Sequence, residues 1–229
     1  MSSAILIAST KPVQAGYTAQ DLITYMARVS NPKNQADLKT SDRLFKYLIR
    51  NKHWSPFEMV SLTIEIKTTR DISRQILRHR SFSFQEFSQR YAEVEDHHII
   101  TSREARLQDH KNRQNSIVPS EEEADPLNEE FSRLQEEVAT LANRSYKRAL
   151  ELGLAKEVAR ALLPEGLTQT TMYMSGTLRS WIHYVLQREA NGTQKEHMEI
   201  ALKCKDILFD EFPALRDIWD ELRRGEGEI

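Results

Sequence analysis

From Met59 to Thr69 the chain alternates without a break, with Val60, Leu62, Ile64 and Ile66 set against Ser61, Thr63, Glu65 and Lys67. A period of two places these sets on opposite faces of a β-strand. One face must be buried against a second layer, and the other faces water or a ligand. The period then changes to helical spacing. Asp71 begins a helix through Ile72, Ile76 and Leu77 that delivers Arg78, His79 and Arg80 at its C-terminal end. Cations are favoured there by the helix dipole, by roughly 0.3–1 kcal/mol each when exposed.

The rest of the chain reads as helices around few strands. Residues 4–8 form a short buried strand. Leu22, Met26 and Val29 mark a helix over 21–29, broken at Asn31 and Pro32. Ser41 caps a helix carrying Leu44, Phe45, Leu48 and Ile49, and Pro56 ends the turn after it. The segment 108–126 is polar, with three successive glutamates at Glu121, Glu122 and Glu123, and reads as a surface loop or insertion. Pro126 then opens a long helix, closed by Gly153, with Phe131, Leu134, Val138, Leu141, Ala142, Ser145, Ala149 and Leu152 along its buried side. A helix over 156–163 stops at Pro164, and 169–175 has strand propensity. Helix returns over 178–189, Asn191 and Gly192 turn, and an amphipathic helix spans 194–209. The tail 223–229 reads as disordered. These elements predict a single α+β domain, helices packed on a small, mostly antiparallel sheet; 229 residues are enough for a sizeable core.

Helix-end electrostatics accounts for the arginines but not for the polar residues C-terminal to them. Seven residues separate Arg80 from Ser88, and Glu86 and Arg90 flank that serine. Guanidinium forks grip phosphate in bidentate fashion, and serine and glutamine can address a base or ribose. The set suits a polyanionic small molecule such as a nucleotide or dinucleotide. A second reading interleaves the same cations with Phe82, Phe84, Phe87 and Tyr91 as a nucleic-acid-binding module. Against it stand a core role for these aromatics and a near-neutral chain, with 32 Lys and Arg facing 34 Asp and Glu. No apolar run approaches the ~20 residues of a membrane span, and no signal peptide is evident, so a cytoplasmic protein is expected. The histidines lack metal-ligand spacing, so no metal is expected. With seven glycines and no Gly-x-Gly-x-x-Gly run, a Rossmann cofactor site is not expected either. The lone cysteine, Cys204, shares a helical apolar face with Ile200, Ala201, Ile207 and Leu208, and reads as a core residue far from every motif.

Arg78, His79, Arg80 and the spaced Ser88 resemble the signature of the flavin-dependent thymidylate synthases. Further blocks are similar to that family in the same order: His53 to Glu58 (His-Trp-Ser-Pro-Phe-Glu), Glu157 to Arg160 with Leu163 and Pro164, then Arg179 to His183 with Gln187 and Arg188. The resemblance implies reductive methylation of dUMP to dTMP without a cysteine nucleophile. Methylenetetrahydrofolate would supply the carbon, FAD would carry hydride and NADPH would reduce it. It also implies a homotetramer with shared active sites. Its cofactor residues fall on Ser55, Arg78, His79, Arg80, Glu86, Thr177, Leu178, Arg179 and His183. Its substrate residues fall on Gln75, Ile76, Leu77, Arg78, Glu86, Phe87, Ser88, Gln89, Arg90, Arg160 and Arg188. Arg188 would lie against the pyrimidine edge, favour the ionised N3 and so make C5 nucleophilic. Many members carry asparagine where this chain has Thr177 and His183, and Gly176 could share the flavin contact.

Overall fold

The computed structural model describes residues 2–94 and 102–226. Strands β1 (Ser3–Ser9), β2 (Ser61–Thr69), β3 (Ser83–Glu86) and β6 (Gln169–Thr177) form an antiparallel sheet in the order β1-β2-β6-β3. Strands β4 (Leu107–Gln108) and β5 (Ser116–Ile117) make a separate hairpin. The helices are α1 (Ala19–Ala27), α2 (Ser41–Arg50), α3 (Arg70–Ile76), α4 (Glu121–Glu151), α5 (Lys156–Ala159), α6 (Leu178–Arg188), α7 (Lys195–Glu211), α8 (Pro213–Arg216) and α9 (Trp219–Glu226). This is the expected α+β architecture.

The alternation in β2 sets the layers. Leu62, Ile64 and Ile66 are buried, and Ile64 and Ile66 pair across the ladder with the buried Met174 and Met172 of β6. The opposite face is polar; there the Thr63 hydroxyl donates to Ser175 Oγ at 2.9 Å. Gly176 pairs with Leu62, and the Phe82 ring lies over it. A Cβ at position 176 would come within 2.4 Å of Phe82 Cδ1, so only glycine fits.

Two strand-to-helix junctions position the site. Antiparallel β2 and β6 each run straight into a helix at opposite ends of the sheet. Arg70 N–H, starting α3, donates to Thr168 O at 2.9 Å; Leu178 N–H, starting α6, donates to Val60 O at 2.8 Å. Both helices bury apolar residues in one core: Ile72 and Ile76 from α3, Trp181, Ile182 and Val185 from α6. Entering from opposite ends, they bring their C-terminal ends together.

Several expectations need correction. β1 is an edge strand rather than a buried one, with Ile5 and Ile7 about half exposed. Ser41 is the first helical residue rather than the cap, and its hydroxyl meets Thr24 Oγ1 at 2.9 Å. Pro56 sits in the first turn of a 3-10 helix over Ser55–Met59 and does not end it. Helix α4 begins at Glu121, because Ser120 and Glu123 form a capping box; Pro126 lies inside it, and 107–117 is partly hairpin. The stripe of α4 assigned to the core is largely outside: Phe131, Leu134, Val138, Leu141 and Leu152 are exposed. Ala142 and Ala149 of that stripe are buried as expected, together with Gln135, Ala139 and Tyr146. Arg223 and Arg224 are helical, in α9, while 227–229 lie outside the described residues. Phe82 and Phe84 pack on the core as expected, but Tyr91 is exposed and Phe87 borders on it.

Candidate active site

The meeting of α3 and α6 puts Arg188 Nε 2.9 Å from His79 Nε2. That nitrogen must accept, so His79 is neutral. Burial, with the charges of Arg188 and Arg78, pulls its pKa down to about 4. Burial also lowers Arg188 from the ordinary arginine value; Tyr184 opposes this and Arg78 adds to it. Arg78, His79 and Arg188 therefore crowd one region with like-signed or neutral groups. Among the described residues neither Arg78, Arg80 nor Arg188 has a carboxylate partner. Such a cluster calls for an anion from outside.

The start of α3 is different. Glu86 Oε1 accepts from Ser73 Oγ at 2.8 Å and Thr170 Oγ1 at 3.0 Å, and Arg70 and Arg74 each bring a guanidinium nitrogen within 3.6 Å of its carboxylate. Arg70, Arg74, Gln89 and Arg160 line an open cavity of about 370 Å³ together with Glu157 and Glu165. Two buried donors at this cavity make no hydrogen bond among the described residues: Gln89 Nε2, and Arg70 Nη1, which has only its 3.6 Å ion pair with Glu86. A buried orphan donor is costly, so both are poised for an acceptor that enters the cavity. Burial lowers the pKa of Arg70, and Glu86 counters it. Arg90 pairs with Glu157 at 3.4 Å, joining the Ser88 loop to α5.

The remaining expected residues lie in two further places. Thr177 caps α6 by accepting from Ser180 N–H, Arg179 pairs with Glu58, and Ser180 Oγ donates to Ser81 O at 3.3 Å. The turn at Ser55–Met59, the start of α6 and the segment after Arg80 thus adjoin. His183 sits on another flank of α6, its ring 4.7 Å from that of Trp54, at a cavity of about 660 Å³ with Gln187 and Arg223. Ile76 and Leu178 are wholly inside the core, so their side chains serve the fold. Among the described residues no group of histidine, cysteine, aspartate or glutamate is arranged to hold a metal ion.

Cys204 is fully buried, as expected, and burial pushes its thiol far up. It is not remote from the motifs, however. It packs under α6, close enough to Tyr184 to oppose ionisation of that hydroxyl. A nucleophilic thiolate needs exposure and a depressed pKa, and Cys204 has neither.

Sequence reasoning missed Arg70, Tyr184 and His197. Arg70 comes after Val60, Leu62, Ile64, Ile66 and Thr68 on the buried parity of the strand pattern, where an arginine is out of place. His197 stands at helical spacing from Ile200, Ala201 and Cys204 on the apolar face of α7, which was the signal available for it.

These cations define a site for anionic ligands, and likeness to known proteins says of which kind. Residues 13–214 match the family described as thymidylate synthase complementing protein, Thy1. The chain is 52% identical over 221 residues to the probable flavin-dependent thymidylate synthase of Paramecium bursaria Chlorella virus 1, spanning 95% of this chain and 99% of that one. It is 47% identical over 196 residues to the flavin-dependent thymidylate synthase of Synechocystis sp. PCC 6803, spanning 86% and 87%. In fold it resembles the UMP/dUMP methylase PolB of Streptomyces cacaoi bound with 5-Br dUMP, with a TM-score of 0.79, 24% identity and coverage of 96% and 95%. The chain belongs to the flavin-dependent thymidylate synthase family.

Proposed function

We propose that this enzyme methylates dUMP to dTMP, taking its carbon from methylenetetrahydrofolate and its reducing power from NADPH, as a cytoplasmic homotetramer with shared sites. The observation that carries this reading is Arg188. Its Nε is anchored on a neutral imidazole, its remaining nitrogens face no carboxylate among the described residues, and the lone thiol is buried and inert. A planar fork fixed in this way suits the edge of a pyrimidine and the negative charge that forms there. The paired ends of α3 divide the labour. Arg70, Gln89 and Arg160, with Ser88 and Arg90, receive the nucleotide phosphate, and Gln75 and Arg188 address the base.

The residues fit FAD. Arg78 and Arg80 are exposed and have no ion-pair partner among the described residues, which suits a diphosphate. Ser55, Glu86, Thr177, Arg179 and His183 complete the set that would hold it. Bound flavin supplies hydride transfer; the chain supplies binding, orientation and charge. The exposed apolar stripe of α4 supports the tetramer, since Phe131, Leu134, Val138 and Leu141 form a row that a partner chain would cover.

The test is conversion of dUMP by the purified yellow protein with methylenetetrahydrofolate and NADPH. Arg78→Ala or Arg80→Ala should weaken flavin retention at least about tenfold, each charged hydrogen bond being worth roughly 1.5–3 kcal/mol. A colourless protein, or one that makes no dTMP when loaded with flavin, overturns the reading.

A further inference from the structure

His197 has no part in the proposed chemistry, yet it is wholly buried and both its ring nitrogens are engaged. Nδ1 lies 3.3 Å from Gln75 Oε1, and Nε2 lies 3.2 Å from the Tyr184 hydroxyl. Gln75 Nε2 reaches Gln194 Oε1 at 2.7 Å, and Gln194 Nε2 reaches Glu196 Oε2 at 2.9 Å. Three helices and the turn before α7 are thus joined by one chain of hydrogen bonds.

The direction of that chain is fixed from one end. Glu196 is an ionised carboxylate. Burial alone would raise its pKa, but hydrogen bonds, led by that from Arg106 at 2.7 Å, hold it below the usual range. It can only accept, so Gln194 must donate with its amide and accept with its carbonyl. Gln75 must then donate to Gln194 and present its own carbonyl to the imidazole. His197 must donate from Nδ1, which leaves Nε2 to accept from Tyr184. One tautomer and one orientation of each amide satisfy every partner. At the far end the Tyr184 ring stands edge-on to His79, with centroids 4.8 Å apart, and His79 accepts from Arg188.

We infer that His197 is a positioning residue of the active site: it fixes the Gln75 amide and, through Tyr184, the seat of the His79–Arg188 pair. The inference rests on the proposed function for the claim that Gln75 and Arg188 meet the nucleotide. A histidine suits the task because a neutral ring offers one donor and one acceptor on opposite sides of a rigid plane. Phenylalanine fills the same volume and offers neither. Asparagine places an amide near Nδ1 and keeps the donor to Gln75.

The experiment measures dUMP binding to the flavin-loaded protein by calorimetry, with flavin content and melting temperature recorded for each variant. His197→Phe should weaken dUMP binding at least about tenfold, the loss expected when a buried polar group is left unpaired. His197→Asn should recover most of that loss. In a Gln75→Leu background, His197→Phe should change binding less than about twofold, because coupled residues are not additive. Unchanged binding in His197→Phe, or an equal loss in both backgrounds, overturns the inference. If His197→Phe does not fold, His197→Asn decides: binding within about threefold of the parent supports the inference, and a tenfold loss overturns it. A parent protein that binds no dUMP instead sinks the proposed function, and imidazole nitrogen NMR then judges His197 without any nucleotide. A neutral ring protonated at Nδ1 supports the relay, and one protonated at Nε2 overturns it.

Discussion

The two ends of α3 carry similar side chains in opposite electrostatic settings. At its start Arg70 faces Glu86, a carboxylate that Arg74 also meets from the last turn of the helix while reaching Glu165 at 3.3 Å. At its end, Arg78 and His79 meet Arg188, with no carboxylate among the described residues. The helix dipole disfavours cations at the start and favours them at the end, so only the start requires internal compensation. The consequence is a difference in how much charge each end leaves for a ligand. Charge at the start is balanced within the fold by Glu86 even where its donors face the cavity, while charge at the end has no carboxylate to balance it among the described residues.

Substitutions at the two ends should therefore differ most in their effect on stability. Arg188→Ala should lower dTMP formation by about a hundredfold or more, the scale expected when a preorganised charge is removed from a developing anion. Arg188→Lys should also be far slower, since it keeps charge but loses the planar fork, and NADPH oxidation should survive better than methylation in both. Single-turnover assays of the two half-reactions read this, and neither variant should melt much below the parent. Glu86→Gln should instead cost about 3 kcal/mol of stability, because it strands Arg70 as a buried charge, and as a member of the flavin set it should also weaken flavin retention. Denaturant titration measures that loss, and a Glu86→Gln protein as stable as the parent would erase the contrast.

Acid should weaken the uncompensated end next. His79 and His197 have folded pKa values near 4 and 3, both depressed first by burial. Below their unfolded value near 6.5 the unfolded chain takes up protons that the folded one refuses, so stability falls as pH falls from about 6.5 toward 4. The slope is about 1.4 kcal/mol per pH unit for each histidine fully protonated only when unfolded. Melting temperatures at several pH values, compared with a His197→Asn protein, should show the decline and its partial relief. Cys204→Ala is expected to have the smallest effect. It should keep most activity and lose at most about 1–2 kcal/mol to the small cavity left behind.

How much of this was legible in the sequence depended on whether a neighbour in space had to be known. The β2 alternation and the junction into α3 were readable because both are local. The motif residues were readable by resemblance. Arg70, Tyr184 and His197 were not identified: Tyr184 and His197 acquire their roles only when α3, α6 and α7 pack together, and Arg70 only when Glu86 of β3 and Arg160 come beside it, although an arginine on a buried strand parity and a histidine on an apolar helical face were visible. The α4 stripe was misassigned for a related reason. An apolar row shows that something covers a face, but not whether the cover comes from the same chain. The α4 start was misplaced because the Ser120–Glu123 capping box outweighed Pro126 as a signal.

The buried thiol of Cys204 has a use beyond the active site. As the chain's single thiol, fully enclosed in α7 against α6, it is shielded from alkylating reagents until those helices part. Its labelling rate in native buffer is therefore a clock for opening of the core. Fraying of the termini or breathing of the β4–β5 hairpin leaves it silent, so one reagent and one mass measurement would report rare excursions of the helical layer that carries Arg188.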